Sequence, residues 1–286
     1  MELSNSDVRN TDQIAYWNGP AGERWTKQQE MQDVVFAPVS RLLIDRANPQ
    51  QGERIIDVGC GCGATAIELA ATVGASGHVL GIDISGSMLA RARQLAPKDA
   101  AVEFVLADAT TYPFTPGAVD LLVSRFGVMF FADPARSFAN LRNALRKGGR
   151  LTFVCWQEPK NNPWLIEPMK AVYRHVPRLP QLGSEDPGPF SFASPERVNR
   201  ILAEAGFAGV NMEPHSLLLD ISAGGGIEAA VRSAAEIGPA NLALEGQPEE
   251  VRAAAVASIR QALAPHQKDA GVWLGAAIWI VTAIAP

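Results

Sequence analysis

The chain has 286 residues, 47% of them hydrophobic and 19% charged, a composition that can fill one large globular domain. Its net charge of −5 argues against a nucleic-acid-binding protein, which normally presents a basic face. Three cysteines cannot supply a paired disulfide framework in a chain of this length, so we expect a reducing compartment.

The amino-terminal residues are polar and lack the apolar core of a signal peptide. The longest apolar run, residues 271–285, is shorter than the roughly 20 residues that a membrane helix requires. We therefore expect a cytoplasmic protein with no membrane span. The sequence leaves the oligomeric state open between a monomer and a homodimer.

Residues 1–50 are predicted to be helical, and their aromatic content indicates that they pack against the rest of the chain. Beyond them, five short apolar runs alternate with helical patterns, which predicts βαβ units and a parallel sheet. These runs are residues 54–58, 78–83, 102–107, 120–124 and 150–156.

Two later helices have clear start signals: Asp133-Pro134 and Ser194-Pro195 each place a capping side chain before a proline. Gly148-Gly149 is predicted to end the first of these helices. Residues 157–193 are rich in proline and tryptophan and are predicted to pass over the top of the sheet. Two late strands, 210–221 and 272–283, predict an antiparallel hairpin at the sheet edge.

The segment Asp57-Val58-Gly59-Cys60-Gly61-Cys62-Gly63 follows the first predicted strand and precedes a helix. A strand that turns through glycines into a helix brings backbone N–H groups close to a ligand. Gly59, Gly61 and Ala64 also satisfy the dinucleotide pattern, and Asp83 lies where a ribose-binding acid is expected. A nicotinamide- or flavin-dependent enzyme is therefore a serious alternative.

The charges favour a cationic ligand. Asp57, Asp83 and Asp108 stand at the carboxyl ends of three successive predicted strands, and the glycine turn contains no basic residue. A pyrophosphate would be repelled by Asp57, whereas S-adenosylmethionine carries a sulfonium and an ammonium. Asp83 can accept hydrogen bonds from both ribose hydroxyls, and Asp108 can accept one from the adenine amino group.

These motifs, in this order and spacing, resemble the class I S-adenosylmethionine-dependent methyltransferases. The resemblance covers most of the chain, including the fourth strand, 119–124, and the segment Leu145–Leu151 before the fifth. It is nearest to the small-molecule branch that contains the ubiquinone and menaquinone biosynthesis methyltransferases. After strand four stands Ser124-Arg125-Phe126-Gly127, unlike the Asn/Asp-Pro-Pro-Tyr/Phe tetrapeptide of many nucleic-acid methylases.

The resemblance implies an α/β, Rossmann-like fold with a seven-stranded, mostly parallel sheet of order 3-2-1-4-5-7-6, in which strand 7 is antiparallel. Helical insertions would form a cap. Residues 1–50 would be an N-terminal helical segment that closes the cofactor site. Residues 51–286 would be the methyltransferase core, with cap insertions at about 157–193 and about 222–268.

The resemblance also assigns roles to individual residues. Gly59, Gly61 and the neighbouring backbone would hold the methionine moiety, and Asp83 the ribose. The adenine would lie between Ile84 and Met88, with Asp108 and Ala109 at its edge. Arg125 and Phe126 would face the sulfonium and the acceptor. Trp25, and with it Trp17, would close the site. This list names the cofactor-binding candidates: Trp25, Asp57, Gly59, Gly61, Asp83, Ile84, Met88, Asp108, Ala109, Arg125 and Phe126.

Structural roles compete with several of these assignments. Asp57 could cap the glycine turn, and Asp108 could form an Asx-turn. Cys60-x-Cys62 is poor zinc spacing, so no metal site is expected. His175 is the weak candidate for a general base, against a solvated or helix-capping role. Trp156, Trp164, Tyr173, Phe190 and Phe192 could line an acceptor pocket or pack the insertion.

The sequence therefore predicts an enzyme that moves a methyl group from S-adenosylmethionine to a small, hydrophobic or aromatic acceptor by in-line displacement, releasing S-adenosylhomocysteine. The partner is a small-molecule acceptor and not a nucleic acid. Two alternatives remain open: an NAD(P)-dependent oxidoreductase on a Rossmann-type fold, and a catalytically idle S-adenosylmethionine-binding protein.

Overall fold

The fold is built around one sheet. The structure, a computed structural model, describes residues 5–183 and 185–286, so residues 1–4 and Ser184, which fall in the predicted segments 1–50 and 157–193, lie outside the described residues. The strands are β1 Arg54–Val58, β2 His78–Asp83, β3 Val102–Leu106, β4 Val119–Arg125, β5 Leu145–Trp156, β6 Ala208–Asp220, β7 Gln267–Lys268 and β8 Gly271–Ile284.

The helices connect these strands and cover both faces of the sheet. They are α1 Asn5–Asn18, α2 Pro20–Lys27, α3 Gln29–Ala47, α4 Ala64–Val73, α5 Gly86–Leu95, α6 Pro134–Ala144, α7 Pro163–Val172, α8 Pro195–Glu204, α9 Gly226–Glu236, α10 Pro239–Leu244 and α11 Glu249–Leu263. No helix in the described ranges is both long and apolar enough to cross a membrane.

The strand order is β3-β2-β1-β4-β5-β8-β6, with β1 to β5 parallel and β8 antiparallel to both of its neighbours. This confirms the predicted order 3-2-1-4-5-7-6, because the predicted seventh strand is β8. The structure adds one short strand that the sequence did not predict: β7, which pairs with the start of β8.

The helix starts follow the predicted chemistry. The Asp133 side chain accepts a hydrogen bond from the backbone N–H of Arg136 at 3.1 Å, and α6 then begins at Pro134. The Ser194 hydroxyl accepts one from the N–H of Arg197 at 3.2 Å at the start of α8. These caps satisfy N–H groups that the first helical turn leaves without partners.

The predicted end of α6 is wrong. The helix ends at Ala144 and β5 begins at Leu145, five residues before the predicted strand. Gly148 N–H donates to the Ala285 carbonyl at 2.7 Å, and Ala285 N–H donates to the Gly149 carbonyl at 2.9 Å. The two glycines therefore do not cap α6. They pair with Ala285, which directly follows β8 near the end of the chain.

Helices α7, α9, α10 and α11 pack on one another, and α3 packs on the sheet against β4 and β5. Val35, Val39 and Leu43 lie at helical spacing on the buried side of α3. The region 157–193, predicted to pass over the top of the sheet as a cap insertion, includes the ten-residue helix α7.

Candidate active site

The glycine turn, Gly59–Gly63, meets the end of β4 at the carboxyl edge of the sheet. Gly59 has φ +67°, a left-handed conformation that favours glycine. A Cβ on Gly59 would come within 2.7 Å of the Gly127 Cα, and a Cβ on Gly127 would meet the Gly59 Cα at the same distance. The two backbones touch here, which leaves space for a ligand beside them.

Asp57, the penultimate residue of β1, lies just before this turn and is the most deeply buried acid of the site, with 1% of its surface exposed. Its Oδ2 atom has no hydrogen-bond partner among the described residues. Burial, against the lowering effect of Arg125 and with a smaller raising effect of the Asp83 carboxylate, brings the pKa of Asp57 from 3.8 to about 7; the Ala66 N–H also lowers it. A buried carboxylate with an unpaired oxygen is costly unless a cation arrives.

Asp83 is the last residue of β2, and its carboxylate is hydrogen-bonded to backbone N–H groups. Its two oxygens accept hydrogen bonds from the N–H groups of Gly61 and Ser85, each at 2.8 Å. Burial raises the pKa of Asp83, while these N–H groups lower it. The Ile84 N–H also donates to this carboxylate. A carboxylate has about four acceptor sites, so acceptor capacity remains for a ligand.

Asp108 follows β3 and makes a different set of contacts. Its Oδ1 accepts from the Thr110 N–H at 2.7 Å, which is an Asx-turn, and its Oδ2 accepts from the Asn10 amide at 2.8 Å. Asp108 does not line the cavity described below, although its neighbour Ala109 does. The structural role weighed for Asp108 is therefore the one seen in these contacts.

Arg125 and Phe126 complete the end of β4. Arg125 reaches α3, where its guanidinium donates to the Ser40 hydroxyl at 2.7 Å and lies 3.8 Å from the Asp33 carboxylate. Phe126 has φ +70°, which is uncommon for a residue with a side chain. Its ring stacks on Trp156 with centroids 4.1 Å apart, and this contact helps to hold the unusual conformation.

Phe126 and Trp156 belong to a larger group of rings that we call the aromatic cluster: Trp25, Phe36, Phe126, Trp156 and Trp164. Phe36 contacts all four other rings, with centroid distances from 5.6 to 6.4 Å. The cluster joins α2, α3, β5 and α7, so elements far apart in sequence build one aromatic wall.

A cavity of about 1190 Å³ runs from the glycine turn to this wall. Its lining includes ten of the eleven residues expected to bind a cofactor: Trp25, Asp57, Gly59, Gly61, Asp83, Ile84, Met88, Ala109, Arg125 and Phe126. Trp17, Trp156, Trp164, Tyr173 and Phe190 also line it, whereas Phe192 is buried in the hydrophobic core. Met88 packs against the turn, since a Cβ on Gly61 would lie 2.8 Å from the Met88 Cε.

His175 lies away from this cavity. It follows α7, and its Nε2 is 2.7 Å from the Ser258 hydroxyl on α11. It is absent from the cavity lining. The contact fastens α7 to α11, and nothing in this position brings the imidazole to a ligand in the cavity.

Comparison with known proteins decides the family. A family model described as a methyltransferase domain matches residues 56–153. A demethylmenaquinone methyltransferase of Thermus thermophilus is 30% identical over 177 residues, which are 59% of this chain and 80% of the relative. The chain belongs to the class I S-adenosylmethionine-dependent methyltransferases. The resemblance to their small-molecule branch is confirmed.

Other relatives match this methyltransferase over a smaller share of their length. An aklanonic acid methyltransferase of Streptomyces sp. is 36% identical over 121 residues, 42% of this chain and 55% of that protein. The chain thus spans about half the length of the first curated relatives that it matches. The comparisons give no support to the oxidoreductase or to the idle binding protein.

Solved structures show the same fold. A Haemonchus contortus phosphoethanolamine N-methyltransferase has a TM-score of 0.56 at 18% identity, covering 100% of this chain and 61% of its own. The YcgJ protein of Bacillus subtilis has a TM-score of 0.56 at 15% identity, covering 86% of this chain and 97% of its own.

The observed site fits the cofactor of this family. The unpaired Oδ2 of Asp57 lies beneath the turn among the described residues, and the Asp83 carboxylate lies next to it. The turn itself contains no basic residue. These groups suit a ligand that carries an ammonium, a sulfonium and ribose hydroxyls, and they do not suit a pyrophosphate.

Sequence reasoning missed several residues of the methyltransferase's cavity. Polar side chains of the N-terminal helices line it: Asn10, Gln13, Gln29, Gln32 and Asp33. So do residues of the loop after α7, from Arg178 to Ser191, among the described positions. Gln29 and Gln32 are buried polar residues three positions apart on α3. That spacing in an otherwise amphipathic helix is the one sequence signal that could have marked them.

Proposed function

We propose that this methyltransferase transfers the methyl group of S-adenosylmethionine to a small, apolar acceptor that carries an aromatic ring. The supporting observation is one continuous cavity that joins the carboxylates of the glycine turn to the aromatic cluster. Pockets for one small ligand measure about 300–1,000 Å³. A cavity of about 1190 Å³ suits a cofactor and a second molecule together.

The cofactor would occupy the end of the cavity at the glycine turn. Asp57 would bind the ammonium group with its free Oδ2, and the free lone pairs of Asp83 would accept from the ribose hydroxyls. Ile84, Met88 and Ala109 would surround the adenine. Bound there, S-adenosylmethionine supplies an electrophilic methyl group whose carbon–sulfur bond breaks as the acceptor's lone pair attacks.

The N-terminal helices would close this end. The Asn18 amide donates to the Ile84 carbonyl at 2.7 Å, and its oxygen accepts from the Gly86 N–H at 3.0 Å. The Ser85 hydroxyl donates to the Trp17 carbonyl at 2.8 Å. Three hydrogen bonds thus fasten the end of α1 to the loop that follows Asp83, which supports a closing role for the segment 1–50.

The acceptor would lie against the aromatic cluster. Rings packed edge-to-face and in stacks offer flat apolar surfaces to another ring. The relatives' names support a small-molecule acceptor, since one is an aklanonic acid methyltransferase and another a nocamycin O-methyltransferase of Saccharothrix syringae. The chain's own contribution to the reaction would be to orient the acceptor and to exclude water.

The setting would be cytoplasmic and the acceptor not a nucleic acid. Cys60, Cys62 and Cys155 are free and buried, which suits a reducing compartment. The net charge of −5 disfavours a nucleic-acid partner.

Calorimetric titration with S-adenosylmethionine, S-adenosylhomocysteine and NAD tests the cofactor. We expect micromolar binding of the first two and none of NAD. Asp83→Ala should lose roughly 2 kcal/mol or more of binding free energy. The matched control is Asp120→Ala, because Asp120 accepts from the Arg54 N–H at the opposite end of the sheet. Binding of NAD alone, or equal losses in both variants, would contradict the proposal.

The acceptor class is tested by turnover. S-adenosylhomocysteine release would be measured with a panel of hydroxylated naphthalenes and quinols beside aliphatic alcohols and amines of similar size. We expect release with ring-bearing acceptors. Release confined to the aliphatic compounds would reject an aromatic acceptor and leave the cofactor assignment standing.

A further inference from the structure

Six charged side chains line the cavity in the described part of the chain, and most of them have a partner of opposite charge or a hydrogen-bond donor. The four carboxylates are Asp33, Asp57, Asp83 and Asp186, and the two guanidiniums are Arg125 and Arg178. Asp33 lies 3.8 Å from Arg125, and Asp186 lies 3.5 Å from Arg9 on α1. Asp83 has its two backbone donors, and Asp57 faces the place proposed for the cofactor's ammonium.

Arg178 is the exception. It stands six residues after the end of α7, it is exposed, and it makes no hydrogen bond or ion pair within residues 5–183 and 185–286. Arg125, by contrast, is engaged by Ser40 and Asp33. The cavity therefore has one guanidinium whose counter-charge the folded chain does not supply.

A second donor in the same cavity also has no partner. Trp164, in the first turn of α7, has a buried Nε1–H that no described residue accepts. Buried donors in folded proteins nearly always find an acceptor. An indole N–H and a guanidinium can only donate, so both groups call for a ligand that brings acceptor oxygens.

We propose that the methyl acceptor is a ring-bearing acid whose anionic group is bound by Arg178. This inference rests on the proposed function, since it names the acceptor of that same cavity. The planar fork of a guanidinium matches a carboxylate in a bidentate geometry. The aromatic cluster would hold the ring, and Arg178, at the cavity wall beyond α7, would select acidic molecules over neutral ones of the same shape.

The test uses two fluorescent probes with the same ring system. 8-Anilinonaphthalene-1-sulfonate is anionic, and N-phenyl-1-naphthylamine is its neutral counterpart. Both would be titrated into the full-length protein saturated with S-adenosylhomocysteine, and displacement of one by the other would show that they share a site. The variants are Arg178→Gln and Arg178→Lys. The control is Arg174→Gln, because Arg174 is also exposed after α7 but does not line the cavity.

We expect Arg178→Gln to weaken binding of the anionic probe about tenfold, the scale of a charge-assisted hydrogen bond, and to leave the neutral probe unchanged. Arg178→Lys should lose less, and Arg174→Gln nothing. Unchanged anionic binding in Arg178→Gln would overturn the proposal, as would an equal loss for both probes. Failure of the proposed function would appear separately, as wild-type protein that does not bind S-adenosylhomocysteine.

Discussion

Replacing Asp57 by asparagine should stabilise the ligand-free protein at alkaline pH and weaken its hold on the cofactor. Burial raises the pKa of Asp57 to about 7, while an unfolded aspartate ionises near 3.8. Between these values the folded state keeps a proton that the unfolded state has lost, so Asp57 makes the protein less stable as pH rises. Below about pH 4 both states are protonated and the effect vanishes.

The size of this destabilisation follows from the difference of about 3 pH units between the pKa of Asp57 in the folded protein and its ordinary value. At 1.36 kcal/mol for each unit, the ionised Asp57 costs on the order of 4 kcal/mol above pH 7. Asparagine has the same shape and no charge to bury, although its amide N–H₂ must find its own partners. We therefore expect Asp57→Asn to gain about 1–4 kcal/mol in free energy of unfolding at pH 8 and much less at pH 5.

Urea unfolding at pH 5, 6.5 and 8 measures this gain, and calorimetry at pH 8 measures affinity for S-adenosylmethionine. The expected result is a variant that is more stable and binds at least tenfold more weakly, because its neutral side chain no longer attracts the ammonium. A variant that is less stable at pH 8, or that shows the same gain at every pH, would refute the argument from a buried, partnerless carboxylate.

Two further variants test the geometry. Gly127→Ala should lose about 1–3 kcal/mol or more in urea unfolding and most of its cofactor affinity in calorimetry, because the new Cβ would meet the Gly59 Cα at 2.7 Å. Gly275→Ala is its control, since a Cβ there has only ordinary contacts, and equal effects at both positions would argue against the close approach. His175→Ala should leave single-turnover methyl transfer unchanged from pH 6 to 9, because His175 bonds Ser258 outside the cavity. A pH-dependent loss of rate would make His175 part of the mechanism.

The parallel core of the sheet was predictable because its signals are local. Strands such as Arg54–Val58 and His78–Asp83 are short apolar runs, and each ends in an aspartate or a glycine turn that the sequence shows directly. Since parallel strands end at the same edge, Asp57 and Asp83 were placed in one site without knowledge of the structure. The helix starts at Asp133 and Ser194 are local in the same sense.

Where the prediction from sequence was wrong, the deciding contact comes from far along the chain. Gly148 and Gly149 look like the end of a helix, but they pair with Ala285, more than 130 residues later. Helix α7 lies in a segment predicted as a cap insertion, but its bounds were not predicted, and Pro168 lies inside it. Packing against α10 and α11 offsets the hydrogen bond that this proline removes.

The sequence by itself determined the short strands of the parallel core, the glycine turn and the acids beside it, because neighbouring residues specify those features. The order of the strands in the sheet was predicted from the resemblance to the family. Only the tertiary structure decided which side chains line the cavity. It tied Asp108 to Asn10 on α1, paired His175 with Ser258 and brought α2, α3, β5 and α7 together as the aromatic cluster. It also left Arg178 without a counter-charge among the described residues. Such partnerships arise from packing between distant segments, and no local pattern of residues encodes them.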